Sequence, residues 1–141
     1  FTVYGPYGRP DMSLFIFTKA IASNKTIKLY NKSRHSRDFT YIDDICSSLS
    51  RLIMKIPKDE VPFSVYNLGS GKSKTLSQFV NIIEKNVGNK SKVKLLNMQK
   101  GDVVKTHSSI KKLNRVIGYS PKHSIDKGVS KFVTWFNSYY K

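Results

Sequence analysis

The chain has 141 residues, 39% apolar and 12% aromatic. That suits one globular domain, or one lobe of a larger enzyme, and is too hydrophobic for a disordered chain. Lys and Arg number 25 against 9 Asp and Glu, a formal net charge of +16; this admits anionic partners, but the cations are mostly scattered lysines, which a solvated surface explains better than a nucleic-acid interface.

Taken in order, the segments alternate between strand-like and helix-like, a mixed α/β pattern with no internal repeat. Phe1–Tyr4 is apolar and β-prone, with no basic leader or cleavage signature, and it reads as the middle of a strand cut from a longer chain. Gly5-Pro6 and Gly8-Arg9-Pro10 break it. Leu14, Phe17 and Ile21 recur at helical spacing, with Asp11 as the expected N-cap. Ile27–Tyr30 and Phe39–Ile42 read as strands around a loop rich in Ser, Lys and Arg. Asp43 and Asp44 open a helix whose N-terminal dipole favours negative charge, with an apolar stripe of Ile45, Leu49, Leu52, Ile53 and Ile56. Cys46, the only cysteine, excludes an internal disulfide, fits a reducing, cytoplasmic setting and reads as a small core residue. Pro57 and Pro62 bracket an exposed connection.

Phe63–Leu68 reads as a further strand, ending at Gly69-Ser70-Gly71. Thr75 and Gln78 form a capping box for a helix that turns Leu76, Phe79, Val80, Ile83 and Val87 to one side and stops at Gly88. Val93–Leu96 is strand-like. Ser108 or Ser109 is expected to cap a short helix through Ile110, Leu113 and Ile117, stopped by Gly118. The last helix starts near Ser124 and faces the core with Ile125, Val129, Phe132, Val133 and Phe136. No apolar run is long enough to span a membrane.

Several chemistries find no support in the residues. Gly69-Ser70-Gly71-Lys72-Ser73 resembles a phosphate loop only superficially, because Tyr66 stands where its first glycine is needed. His35, His107 and His123 are not at metal-ligand spacing with one another, with Cys46 or with a carboxylate, so no metal site is expected. Asp43-Asp44 fits a helix start better than an acid–base pair. Two segments stand out. Thr2–Met12 joins a strand end to a rigid loop of Gly, Pro and Arg, which suits a carboxylate or phosphate. Arg34–Asp44 places Arg37 at the entry to an apolar strand, and a weak surface pair, Arg37 with Asp38 or another Arg–Asp pair, is the plain alternative.

These segments carry a resemblance. "FTVYGPYGRPDM", "RDFTYIDDI", "YNLGS", "GDV" and the closing "FVTWFNSYY" resemble the extended short-chain dehydrogenase/reductase family. Within it the match is to the NAD-dependent nucleotide-sugar epimerases, nearest the UDP-glucuronate 4-epimerases. The resemblance implies that residues 1–141 are the C-terminal part of such an enzyme. That part is mainly the UDP-sugar-binding lobe, with the last strands of a Rossmann-type sheet. The family's Gly-rich fingerprint and catalytic Tyr-x-x-x-Lys do not occur here, so no catalytic residue is assigned and the piece alone is expected to be inactive. The resemblance further implies NAD, bound mainly by the N-terminal part, and C4 inversion of UDP-glucuronate by transient oxidation to a 4-keto sugar.

Residue by residue, the resemblance assigns Thr2 and Arg9 to the sugar carboxylate, Arg37 to the diphosphate, Tyr30 to the uracil pocket and Asp102 to the loop over the nucleotide. Many relatives have Arg before the Gly-Asp; here the stretch is Gln99-Lys100-Gly101-Asp102, as the glucuronate branch allows. The resemblance also implies a homodimer when full length, with no membrane or nucleic-acid partner. The alternatives are a UDP-glucose 4-epimerase or a nucleotide-sugar dehydratase and, outside the class, a basic nucleic-acid-binding module.

Overall fold

A computed structural model describes residues 1–58 and 60–140. The order is β1 (Thr2–Tyr4), α1 (Ser13–Ala22), β2 (Thr26–Leu29), a 3-10 turn (Asn31–Ser33), β3 (Ser36–Tyr41), α2 (Ile42–Leu52), β4 (Ser73–Thr75), α3 (Leu76–Val87), β5 (Lys92–Leu95), α4 (Lys111–Ile117) and α5 (Ile125–Tyr140). The class is α/β, as the alternating pattern predicts. The strands fall into two small sheets. In one, β1 runs parallel to β3 in the register Thr2–Phe39, and β4 lies antiparallel on the other edge of β3. In the other, β2 and β5 are parallel, Ile27 opposite Val93.

The main core lies between α1, α3, α5 and the sheets. Ile21, Phe79, Ile83 and Val129 are fully buried there, and the Phe39 and Phe79 rings stack at 4.1 Å. These are residues of the periodic stripes, so hydrophobic burial follows the pattern in the chain. The capping box of α3 is present: the Thr75 hydroxyl accepts from the Gln78 N–H (3.2 Å), and the Thr75 N–H donates to the Gln78 side chain (3.0 Å). Gly88 ends that helix at φ 83°, a left-handed value that glycine adopts without steric cost. A second, smaller core gathers Leu113, Ile117 and Tyr119 against Leu52, Tyr66 and Leu68.

Five expectations fail locally. Asp11 does not cap α1; Met12 occupies the N-cap position, while Asp11 is held by Arg9. Most of the expected α2 stripe does not face the core, although Leu52 packs against the second one. Asp44 and Ser48 are its buried residues, whereas Leu49, Ile53 and Ile56 are exposed, and Cys46 is exposed with them. A buried polar face won because Asp44 has three donors waiting, the N–H groups of Lys122 and His123 and the His123 ring. Phe63–Leu68 is not a strand: Lys112 Nζ donates to Val65 O (2.9 Å) and the Phe1 amino group to Leu68 O (2.9 Å), but no backbone ladder forms along it. Alternation of apolar residues cannot make a ladder without a neighbour. Neither Ser108 nor Ser109 caps α4, which starts after Ile110; Ser108 is drawn instead to Asp38. Finally, β4 pairs with β3 although Ser73–Thr75 carries no strand signal of its own. The connection bracketed by Pro57 and Pro62 is exposed on both sides of residue 59, which lies outside the described residues.

Candidate functional site

Arg37 and Asp38 are neighbours on β3, so their side chains leave opposite faces. On one face Asp38 is fully buried and organises two turns. Its Oδ1 accepts from the Ser70 N–H and hydroxyl (both 2.7 Å), and its Oδ2 from the Gly71 N–H (3.0 Å) and the Ser108 N–H and hydroxyl (2.9 and 2.6 Å). Burial pushes the Asp38 carboxyl up, but the Ser108 and Ser70 hydrogen bonds outweigh it and hold the group below the usual carboxylate range. An Arg37–Asp38 pair is therefore ruled out, while the other form of the plain alternative, an Arg–Asp pair, is met by Arg37 with Asp102. The same geometry decides what the Gly69-Ser70-Gly71 turn does. Its N–H groups at Ser70 and Gly71 already serve a carboxylate, so it does not fit the diphosphate of NAD.

On the other face Arg37 stands at a cavity of about 790 Å³. Its guanidinium donates to Asp102 Oδ1 (2.9 Å) and to the carbonyls of Ser36 (3.0 Å) and Val104 (3.3 Å). The bridge between Ser36 and Lys105 brings the 101–105 segment alongside the start of β3 and so delivers Asp102. Thr2 on β1, Tyr30 after β2, Arg37 and Asp102 all line this cavity, with Ile16 and Phe17 of α1 as part of its apolar wall. Four of the five residues singled out in the sequence thus converge on one space.

The fifth, Arg9, does not line it. It grips Asp11 with two bonds, Nε to Oδ1 (3.0 Å) and a terminal nitrogen to Oδ2 (2.6 Å), and both side chains are exposed. That fork holds the Asp11 carboxyl below its usual range. Asp11 itself belongs to the cavity wall, so Arg9 is tethered at the rim.

Among the wall residues that sequence reasoning did not single out is His35. Its side chain is 2% exposed, and its Nδ1 lies 3.3 Å from Asp102 Oδ2. The signal was its position two residues before Arg37, on the same face of an extended segment. Among the described residues no group of three His, Cys, Asp or Glu could hold a metal ion, and no helix is long and apolar enough to cross a membrane.

The chain is similar to known proteins in both sequence and fold. Residues 1–69 match the NAD dependent epimerase/dehydratase family. It is 42% identical to Protein CapI of Staphylococcus aureus and 41% identical to a probable UDP-glucuronate 4-epimerase of Rhizobium meliloti, covering 100% of this chain and 46% of each relative. Its fold resembles a UDP-glucuronic acid 4-epimerase from Bacillus cereus, solved in complex with UDP-glucuronic acid and NAD. The TM-score is 0.89 at 27% identity, over 98% of this chain and 43% of that one. The chain therefore spans less than half the length of the curated relatives it matches.

Proposed function

We propose that this chain is the UDP-sugar-binding part of an NAD-dependent epimerase that inverts C4 of UDP-glucuronate. The observation that carries the reading is the convergence of Thr2, Tyr30, Arg37 and Asp102, from four separate stretches of sequence, on one cavity. The relatives and the solved neighbour support the substrate and cofactor.

In this reading the chain's own residues anchor the nucleotide while the sugar is turned. Arg37 meets the diphosphate: of its five N–H donors, some are engaged by Asp102 and two carbonyls, and the remainder serve phosphate oxygens. Tyr30 lines the uracil end, and Asp102, on its loop, closes over the nucleotide. Thr2 offers a hydroxyl donor to the sugar carboxylate, with Arg9 at the rim as the cation. NAD supplies the hydride acceptor and donor for the whole enzyme; it is held mainly by the polypeptide that relatives possess beyond the matched part, since the glycine turn of this chain is committed to Asp38. The full-length protein is read as a cytoplasmic homodimer; the unpaired Cys46 is in keeping with a reducing compartment.

The Arg9–Asp11 pair favours a second reading. A guanidinium already neutralised by a carboxylate is a poorer partner for a sugar acid, which suits a neutral hexose and a UDP-glucose 4-epimerase. The full-length protein with NAD, given UDP-glucuronate and UDP-glucose separately, decides between them. The expected result is the C4 epimer of the uronic acid at the higher kcat/KM. Turnover of UDP-glucose alone moves the assignment to the second reading, and turnover of neither ends both.

A further inference from the structure

A strand sends alternate residues to one side. The extended backbone of β2 continues into Tyr30, so Thr26, Lys28 and Tyr30 share a face, and all three line the cavity that holds Arg37 and Asp102. Both carboxylates of that wall are already engaged, Asp11 by Arg9 and Asp102 by Arg37. Among the described residues no ion pair engages the exposed Lys28. Lys28 stands on the strand that leads to Tyr30, in a different sheet from the β3 strand of Arg37. Its charge is therefore placed beside the residue read at the base, not the one read at the diphosphate.

We infer that Lys28 is a further specificity-determining residue: its ammonium donates to the O4 carbonyl of the uracil that Tyr30 adjoins. The inference rests on the UDP-sugar reading of the same cavity and names the feature of the base that the cavity selects. An ammonium has three donors and no acceptor. Uracil presents an acceptor at O4, where cytosine presents an amino donor. O4 lies on the ring edge remote from the ribose and is open to a side chain of the wall, whereas O2 is flanked by the ribose. Lys28 thus meets uracil with a charge-assisted hydrogen bond and cytosine with donor facing donor. A role at the diphosphate gives no such discrimination, because UDP and CDP carry the same one.

The test titrates UDP and CDP calorimetrically into the full-length protein and two variants at the exposed position, Lys28→Met and Lys28→Gln. The wild-type protein should prefer UDP. Lys28→Met keeps the length of the side chain and removes its donors, so UDP affinity should fall about tenfold and CDP affinity no more than about twofold. Lys28→Gln carries an amide that donates in one orientation and accepts in the other. It should retain UDP affinity to within about threefold and bind CDP better than the wild type does, so the preference narrows from both sides. An equal fall for UDP and CDP in Lys28→Met overturns the inference, since that is the mark of plain attraction to the diphosphate. Unchanged UDP affinity in Lys28→Met overturns it as well, as does a wild-type protein that binds the two nucleotides alike. Failure of the wild-type protein to bind UDP at all is a separate result, which removes the reading of the cavity itself.

Discussion

Asp38 and Arg37 show how one residue step along a strand sends one side chain into the packed interior and the next to the cavity. Asp38 collects five hydrogen bonds from Ser70, Gly71 and Ser108 and is fully buried. Asp38→Ala leaves those donors unsatisfied and should cost about 3 kcal/mol or more, read by urea unfolding. Its pH dependence has a definite sign. The folded group lies below its ordinary value of 3.8, so its stabilisation is complete above that pH and is lost as pH falls through the lower folded value. The acid limb of the stability curve should therefore flatten in Asp38→Asn; an unchanged limb would refute the assignment. Arg37 has the opposite character. Arg37→Ala should weaken UDP and UDP-sugars alike, by about 1.5–3 kcal/mol, because the lost partner is the diphosphate common to all of them. Unaltered UDP affinity would remove Arg37 from the site. Arg9→Ala should act on a ratio: kcat/KM falls more for UDP-glucuronate than for UDP-glucose, because only the former has a carboxylate to lose. An equal fall for both makes Arg9 a structural partner of Asp11, to which it is bonded.

At the scale of elements, helix starts and stops were the most readable features where the cap is local. The α3 box lies within four consecutive residues, and Thr75→Ala should cost about 1 kcal/mol in thermal unfolding. Gly88 and Gly118 close their helices at left-handed φ values, as expected. Ser108 was misread because a carboxylate 70 positions earlier in the chain claims it. Gly128 is the reverse case, a helical glycine whose reason is tertiary. A Cβ there would run into the Tyr4 ring and hydroxyl and would lie 2.7 Å from Tyr41. Gly128→Ala should therefore destabilise by about 1–3 kcal/mol, although alanine is the better helix former. A rise in the melting temperature would show that α5 moves away freely.

At the scale of the molecule, the isolated chain and the longer protein should behave differently. The chain alone should show no epimerase turnover and no tight NAD binding, because the only Gly-Ser-Gly turn is occupied by Asp38. Measured turnover by residues 1–141 would place a base and a cofactor site within them. Tyr30 and Asp102 were singled out only through the family resemblance, but the α/β class, the helical faces of α1, α3 and α5, and the Thr2–Met12 and Arg34–Asp44 segments were legible in the chain itself. Their signals are periodicity, capping and short motifs, which depend on neighbours a few residues apart. What tertiary structure alone decided is which residues meet across long separations. Asp102 lies beside Arg37 and His35, Asp44 turns the polar side of α2 inward, and Arg9 closes on Asp11 at the rim instead of entering the cavity. The physical reason is that a buried charge or polar atom takes whichever donors the packed fold brings to it, and their distance along the sequence leaves no local pattern to read.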